Sequence, residues 1–236
     1  MTASEWRPRT LILQHEAATP AGFIRDWLEK QGAEVEVVRI DQVEPDIDPR
    51  AYDLIVSLGS EFAAYDDTKP FVQRECRLLE EAVESEVPIL GVCFGGQLLA
   101  RVLGGQVFHS DRSEVGFFPV RSRDPDLVAE GPWFQWHFDS FTPPPGAELI
   151  AENDAGPQAY VIGRSLGLQF HPEVTNEIME EWVRAFPHEL EAEGVDPAEL
   201  LAETQRRADA TREMSRRLLE RFRDTIATRN ETRASV

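Results

Sequence analysis

The chain has 236 residues and a formal net charge of −19, from 43 acidic and 24 basic residues. This length suits one α/β domain, alone or with an appendage. Such an acidic balance argues against binding to nucleic-acid phosphates or anionic lipid, and two cysteines exclude a disulfide framework. Because no apolar segment resembles a signal peptide or a membrane span, we expect a cytoplasmic protein.

Strands and helices are predicted to alternate through the N-terminal part of the chain. Short apolar runs indicate strands, and longer segments with apolar residues on one face indicate helices. Thr19 is the predicted cap of the first helix, which Pro20 opens. This alternation predicts an α/β fold with right-handed βαβ units and a mostly parallel sheet, whose active site lies at the carboxyl edge of the strands. The predicted strands are 10–14, 34–40, 52–58 and 89–92, and the predicted helices are 20–31, 70–86 and 97–103.

The pattern changes after Gly105, where short β segments separated by Pro-rich and Gly-rich breaks follow one another. A dense aromatic stretch, 133–141, carries His137 and Asp139. Further strands are predicted at 147–152, 159–162 and 166–170, then a helix from about 175 and a charged helical stretch over 197–228. We expect a domain over 1–190 and a C-terminal helical extension over 191–236, which either packs on that domain or forms a homodimer contact.

The segment 88–97 carries the strongest chemical signal. An apolar strand runs directly into Cys93, and a helix follows, with Gly91 and Gly95 two residues to either side. This is the nucleophile-elbow pattern with cysteine in place of serine. The turn is so tight that neither glycine position can carry a side chain, and the helix N-terminus beside Cys93 favours negative charge. A cysteine in this position can also be a small buried apolar residue.

A second motif, His171-Pro172-Glu173, follows a predicted strand. A thiol nucleophile needs a base, and the base needs a third group to orient it; His171 and Glu173 can supply these roles to Cys93. Taken alone, such a motif is more often an ordinary polar loop, and the elbow at Cys93 is what favours the catalytic interpretation. His15 also follows a strand at the same edge, but we interpret it as a loop residue. None of the five histidines pairs with a second ligand at metal-binding spacing, so no metal is predicted.

The chain resembles the class I, or triad, glutamine amidotransferase family over roughly residues 10–185, and it is most similar to the stand-alone members. Several motifs in family order carry the resemblance: Gly91-Val-Cys-Phe-Gly-Gly-Gln97, Leu103-Gly-Gly, Gly59 with its acidic loop, Trp136-His-Phe-Asp139, and Gln169-Phe-His-Pro-Glu173. The resemblance implies a flavodoxin-like sheet with helices on both faces. It also implies a cysteine-dependent amidohydrolase that needs no cofactor.

In the chemistry that the resemblance implies, the Cys93 thiolate attacks the side-chain amide of glutamine and forms a γ-glutamyl thioester. His171 protonates the leaving ammonia, Glu173 orients His171, and water releases glutamate. The family's oxyanion hole matches the backbone N–H groups of Gly59 and Phe94. Its substrate-binding positions match Gln97 and the segment formed by Trp136, His137, Phe138 and Asp139. His137 and Asp139 themselves either bind a substrate group or hold their loop together.

Two departures from the family pattern leave the substrate open. Leu58-Gly59-Ser60 replaces the frequent Gly-Gly-Pro, and Phe138 replaces a glycine, which adds an aromatic ring to the pocket wall. The first hypothesis is an amidotransferase subunit that supplies ammonia to a separate synthetase, since no phosphate-binding loop is recognised here. The alternative is a stand-alone hydrolase of γ-glutamyl amides or peptides. A catalytically silent module on the same fold is disfavoured by the intact Cys93, His171 and Glu173.

Overall fold

The computed structural model describes residues 6–42 and 47–228. Ten strands and six α-helices are described in these two ranges. The strands are β1 Arg9–Gln14, β2 Glu34–Arg39, β3 Leu54–Ser57, β4 Ile89–Val92, β5 Val107–Phe118, β6 Arg121–Ser122, β7 Trp133–Phe141, β8 Glu148–Asn153, β9 Gly156–Ile162 and β10 Ser165–Leu168. The helices are α1 Gly22–Lys30, α2 Pro70–Glu84, α3 Phe94–Val102, α4 Asn176–Ala185, α5 Pro187–Glu193 and α6 Pro197–Phe222.

Eight strands form one sheet in the order β2-β1-β3-β4-β10-β9-β8-β6. The first five pair in parallel, with β4 between β3 and β10, whereas β9, β8 and β6 are antiparallel. The predicted mostly parallel sheet is therefore confirmed. Because β3, β4 and β10 are adjacent and parallel, the residues that follow them emerge at one edge. The sheet thus places Gly59, Cys93 and the loop of His171 beside one another.

Helices cover both faces of this sheet, because the central strands are apolar on both sides. In β1, Ile12 packs into one core with Trp27 of α1 and Phe222 of α6. The neighbouring Leu11 packs into the opposite core with Leu79 of α2. The side chains of β1 thus alternate between two cores, as the period of a strand requires.

Strands β5 and β7 form a separate antiparallel pair. The pair packs against α4 and α5 through a third apolar cluster that includes Phe134, Trp136, Trp182 and Leu190. The aromatic stretch in the sequence is thus strand β7. Its Phe134 and Trp136 are buried by these helices, whereas Trp133 and Phe141 pack into the two cores of the main sheet. One wall of the candidate site is built on this cluster.

Helix α1 begins later than predicted, and Thr19 does not cap it. Ala21 precedes the helix without a side-chain cap, while the Thr19 hydroxyl bonds to Glu16. Instead, the amide of Phe23 donates to the carbonyl of Glu173 at 3.0 Å. Gly22 has a φ of +42°, and a Cβ there would collide with that same carbonyl oxygen. The start of α1 is therefore fixed by its close approach to the His171 loop.

The C-terminal helix α6 packs against α4 and α1. Leu200, Leu218 and Phe222 of this helix are buried, as is Ile226 in the π-helical turn Arg223–Ala227 that follows. The predicted domain division at residue 190 and a homodimer contact stay predictions. None of the helices in residues 6–42 and 47–228 combines the length and the apolar character that crossing a membrane requires.

Candidate active site

Cys93 sits on a strained turn between β4 and α3. Its φ of +51° is rare for a residue with a side chain, and α3 begins at the next residue, Phe94. A Cβ on Gly91 would lie 2.6 Å from the carbonyl oxygen of Gly95, and a Cβ on Gly95 would collide with Ser57. The flanking glycines are thus required by the close approach of backbone to backbone, as the elbow pattern predicts. Strain of this kind often accompanies functional sites.

His171 and Glu173 form a buried pair beside this turn. The Nδ1 atom of His171 lies 2.7 Å from Oε1 of Glu173, and both side chains are almost inaccessible to solvent. The indole of Trp182 packs edge-on against the His171 ring, with centroids 4.9 Å apart. The backbone amide of His171 donates to the carbonyl of Phe134 at 2.9 Å, which ties the loop to β7. The imidazole is therefore held from three sides.

The charges around His171 favour its protonated form. Burial by itself lowers its pKa, but the charges of Glu173 and Cys93 and the hydrogen bond to Glu173 outweigh burial and raise the pKa to about 10. Among the described residues, Nε2 of His171 has no partner with good hydrogen-bond geometry. The Cys93 sulfur is nevertheless close enough for its charge to act on the ring. This arrangement suits an imidazole that exchanges a proton with the thiol.

Gly59 and Phe94 flank the Cys93 side chain, as the predicted oxyanion hole requires. A Cβ on Gly59 would lie 3.8 Å from the Cβ of Cys93 and 3.1 Å from Cε1 of His171. Within residues 6–42 and 47–228, neither the Gly59 amide nor the Phe94 amide donates to a protein acceptor. The amide of Gly95 donates to the carbonyl of Leu58 at 3.1 Å, so the two turns are joined directly. Two free N–H groups are thus available near the thiol.

A cavity of about 220 Å³ opens above these groups. It brings together all but one of the residues that the sequence singles out: Cys93, His171, Gly59, Phe94, Gln97, Trp136, His137, Phe138 and Asp139. Glu173 lies behind His171. Aromatic side chains dominate the remaining wall, including Tyr65, Phe62, Trp182 and Phe186. The cavity can therefore hold a small molecule with its reacting atom over Cys93.

The predicted substrate-binding residues are tied to one another. The amide nitrogen of Gln97 donates to the carbonyl of Asp139 at 3.1 Å. The carbonyl of Trp136 lies 3.8 Å from the Cys93 sulfur. His137 is buried between Glu114 and the carbonyl of Asp139, with both contacts at 3.0 Å. Of the two interpretations left open by the sequence, these contacts support the one in which His137 holds the loop together.

Asp139 makes its side-chain contacts within the protein as well. Its carboxylate accepts hydrogen bonds from Tyr65 at 3.3 Å and His109 at 3.2 Å. Both partners are exposed, so these contacts are open to solvent at the mouth of the cavity. Phe138 lines the cavity from the same segment. The segment therefore presents backbone and an aromatic ring to a ligand.

Sequence reasoning missed several polar groups at this site. The Gln169 amide donates to the Cys93 sulfur at 3.7 Å and accepts from Gln97 at 3.1 Å. Glu189 of α5 lines the cavity and accepts a hydrogen bond from the Trp136 indole. Burial raises the pKa of Glu189 despite that bond. Gln169 belongs to a motif quoted from the sequence and was a recognisable signal, whereas Glu189 lies in an ordinary charged helix.

His15 is the largest departure from expectation. It is fully buried beneath Gly59 and paired with Glu75 of α2, rather than placed in an open loop. No sequence signal joins these two residues, which are 60 positions apart. Elsewhere in the described part of the chain, no three His, Cys, Asp or Glu side chains converge in an arrangement that could hold a metal ion.

Comparison with known proteins places this architecture among glutamine amidotransferases. A family model described as "Glutamine amidotransferase class-I" matches residues 22–188. A glutamine amidotransferase structure from Thermotoga maritima is 31% identical with a TM-score of 0.84, covering 92% of this chain and 98% of that one. A second, from Methylobacillus flagellatus, is 26% identical with a TM-score of 0.84, covering 97% and 98%.

Curated relatives include enzymes named GMP synthase [glutamine-hydrolyzing]. That of Trichormus variabilis is 39% identical over 133 residues, which is 52% of this chain and 24% of that protein. A Sulfurisphaera tokodaii protein, named as one subunit of GMP synthase [glutamine-hydrolyzing], is 27% identical over 150 residues, which is 60% of this chain and 77% of that protein. The chain thus spans about a quarter or less of the length of several curated relatives that it matches.

Proposed function

Because the chain belongs to the class-I glutamine amidotransferase family, we propose that it hydrolyses the side-chain amide of glutamine through a thioester on Cys93. The observation that carries this proposal is the single cavity in which Cys93, His171 and the free amides of Gly59 and Phe94 meet. These groups are a nucleophile, a base and two oxyanion donors, the set that acyl transfer needs.

The reaction proceeds in two halves. The Cys93 thiolate attacks the amide carbon, and the negative charge that develops on the oxygen is received by the amides of Gly59 and Phe94. His171 transfers a proton to the leaving nitrogen, the carbon–nitrogen bond breaks, and ammonia departs from a γ-glutamyl thioester. Water then loses a proton to His171 as it attacks the thioester. Glutamate leaves, and Cys93 is regenerated.

Glu173 has a positioning role in this scheme. Its carboxylate accepts a hydrogen bond from Nδ1–H of His171 at 2.7 Å, which leaves Nε2 to exchange a proton with the thiol. A carboxylate also stabilises the imidazolium that donates the proton to the leaving nitrogen, so Glu173 supports both the orientation and the charge of His171. Gln97 and the backbone of 136–139 line the same cavity and are assigned to the amino-acid end of the substrate.

We assign the use of the released ammonia to a separate synthetase. The relatives named GMP synthase [glutamine-hydrolyzing] carry both activities in their names, and this chain matches only a part of their length. The Sulfurisphaera tokodaii relative, of which the chain covers 77%, is named as a subunit. These names support a pair of proteins in which one chain hydrolyses glutamine and a synthetase uses the ammonia. The molecule that accepts the ammonia stays unassigned.

A second candidate is a stand-alone hydrolase of γ-glutamyl amides or peptides. The observation that favours it is Phe138, which lines the cavity from a segment that also forms the wall nearest Cys93. Together with Phe186 and Trp182, it offers apolar surface that free ammonia as a leaving group does not need. The same thioester chemistry serves both candidates.

Glutamate release by the purified protein tests the proposal. Free glutamine and a panel of γ-glutamyl amides are supplied in parallel to the wild type, Cys93→Ala and Cys76→Ala. Cys76 is the matched control, because it lies on α2 outside the cavity and burial raises its thiol pKa to about 11. Turnover of glutamine that only Cys93→Ala abolishes supports the first candidate, and turnover of γ-glutamyl amides alone supports the second. Turnover that persists in Cys93→Ala contradicts both.

A further inference from the structure

A buried ion pair lies directly beneath the turn that carries Gly59. The Nδ1 atom of His15 lies 3.0 Å from the carbonyl oxygen of Gly59, and its Nε2 atom lies 2.7 Å from Oε2 of Glu75. Both side chains have no solvent exposure. Buried charged groups are uncommon unless they are paired, and this pair has no part in the proposed chemistry of Cys93. Its position therefore needs a separate explanation.

The hydrogen-bond partners define the proton positions on His15. A carbonyl oxygen only accepts, so Nδ1 bears a hydrogen and donates it to Gly59. Nε2 faces a carboxylate, which is satisfied when that nitrogen also donates. Burial alone lowers the pKa of His15, but the charge of Glu75 and the hydrogen bond to it raise the pKa by more. The ring is thus held as a double donor between a backbone carbonyl and a carboxylate.

Both halves of the candidate oxyanion hole touch this pair. The His15 ring is bonded to Gly59 and packs edge-on against the ring of Phe94, with centroids 4.6 Å apart. Glu75 also accepts a hydrogen bond from Ser57 at 2.5 Å. Ser57 is the last residue of β3 and the one that a side chain at position 95 would strike. One buried cluster therefore contacts the strand, the turn and the helix that surround Cys93.

We propose that the His15–Glu75 pair is a positioning device that holds the Gly59 turn with its amide N–H facing Cys93. The carbonyl of Gly59 is bonded to His15, which does not line the cavity, and this bond fixes the peptide plane that follows Gly59. The preceding plane, which carries the Gly59 N–H, is held through the Leu58 carbonyl by the amide of Gly95. The two bonds together hold the turn from both sides. Phe94, packed on the same ring, is kept in register with Gly59. The role of the pair in turnover rests on the proposed thioester chemistry, but the position of the turn does not.

Two double variants isolate the single hydrogen bond to Gly59. His15→Leu/Glu75→Gln removes the donor, and His15→Asn/Glu75→Gln restores an N–H near the place of Nδ1. Leucine and asparagine have nearly the same shape, so the variants differ mainly in that donor. The Glu75→Gln change, common to both, keeps an acceptor for Ser57 and leaves no unpaired charge in the interior, which would itself be disruptive.

Steady-state kinetics give the first readout. Loss of one oxyanion donor lowers kcat by about 10²–10³, and a displaced donor loses part of that, so we expect the Leu/Gln variant to fall by roughly 10- to 100-fold. KM should stay within about threefold of the wild type, because the donor acts on the transition state rather than on the bound substrate. The Asn/Gln variant should recover most of kcat. Equal kcat values for the two folded variants overturn the proposal.

Crystal structures of the two double variants give a readout that does not depend on turnover. The Gly59 carbonyl should rotate out of place in the Leu/Gln variant and keep its orientation in the Asn/Gln variant. An unchanged turn in the Leu/Gln variant overturns the proposal whatever the activity. If the wild type hydrolyses neither glutamine nor γ-glutamyl amides, the proposed function fails, while a rotated turn still supports the positioning role.

Discussion

The Nδ1 atom of His171 lies 2.7 Å from the carboxylate of Glu173, only two residues along the chain. Pro172 stands between them, and its ring restricts the backbone conformations available between the two side chains. A base and the group that orients it thus come from a single loop, at the end of β10. Cys93 directly follows the adjacent strand β4, so it emerges at the same edge of the sheet as this loop.

Glu173→Gln tests the value of this contact. Glutamine keeps the size of the side chain but removes the charge that stabilises the imidazolium, so we expect kcat to fall by about 10²–10⁴ with little change in fold. Glu177→Gln, at the exposed start of α4, is the matched control. Glutamate release measured at saturating substrate decides the matter, and a Glu173→Gln enzyme within about threefold of wild type would show that the contact is not used.

The raised pKa of His171 predicts a particular pH dependence of stability. Its pKa is raised from an ordinary value near 6.5 to about 10 in the folded protein. Between these values the folded state binds more protons than the unfolded state, so the free energy of unfolding decreases as pH rises. The contribution is fully present below about pH 6.5.

Urea unfolding at pH 7 and pH 9.5 measures this slope. Other groups titrate in the same range, so the comparison is made with His171→Gln, which lacks the ionisable ring. We expect the wild type to lose more stability than the variant over this interval. An identical slope for the two proteins would contradict protonation of His171 in the folded state.

Gln169 is predicted to stabilise the thiolate of Cys93 directly. Its amide donates to the sulfur at 3.7 Å, and a hydrogen bond to a charged atom contributes about 1.5–3 kcal/mol. Gln169→Leu should therefore slow alkylation of Cys93 by iodoacetamide at pH 7 by about tenfold or more. Gln73→Leu, at an exposed position on α2, serves as the control. Unchanged alkylation would mean that the amide does not act on the sulfur.

Gly95→Ala is predicted to disrupt the elbow. A Cβ there would collide with the backbone carbonyl oxygen of Ser57, which cannot move aside, and with its hydroxyl oxygen, which is held by a hydrogen bond to Glu75. We expect a loss of about 3 kcal/mol in the free energy of unfolding. Gly194→Ala is the comparison: its φ is +65° but its Cβ would meet nothing, so only about 1 kcal/mol should be lost. Chemical denaturation of both variants should reproduce this order.

Phe138→Gly should shift substrate preference toward free glutamine. The ring lines the cavity, and its removal takes apolar contact away from any substituent on the γ-nitrogen. We expect the ratio of kcat/KM for glutamine to that for an apolar γ-glutamyl amide to rise by about tenfold. The exposed Phe108, outside the cavity lining, provides the control as Phe108→Gly. A constant ratio would show that Phe138 does not determine which substrate is preferred.

Local patterns predicted the elements that position the site. The run Ile89–Val92 is apolar throughout, which predicts the strand. Glycines on both sides of Cys93 are typical of a tight turn in which backbone approaches backbone, so the sequence predicts the turn as well. The loop of His171 was located for the same reason. These features depend on neighbouring residues, which a single sequence displays.

Contacts between distant residues were not predictable in this way. Glu75 lies among charged residues on a helix whose exposed face is acidic, and nothing local marks it as the one that turns inward. The sequence predicts a loop residue at His15, because it follows a strand and its partner is 60 positions away. Likewise, the position of Thr19 before Pro20 predicts a helix cap. The helix begins at Gly22 instead, where its first turn bonds to the carbonyl of Glu173.

Strand β2 forms one end of the eight-stranded sheet, and its unpaired edge is a place where a second copy of the chain could add. Glu34 and Glu36 alternate along it and are exposed. A second copy that extended the sheet through this strand in an aligned antiparallel register could bring Arg39 near a glutamate, whereas an aligned parallel register would place glutamates against glutamates, and like charges opposite one another destabilise a strand pair. Together with the chain's net charge of −19, the strand resists the edge-to-edge addition from which aggregation starts.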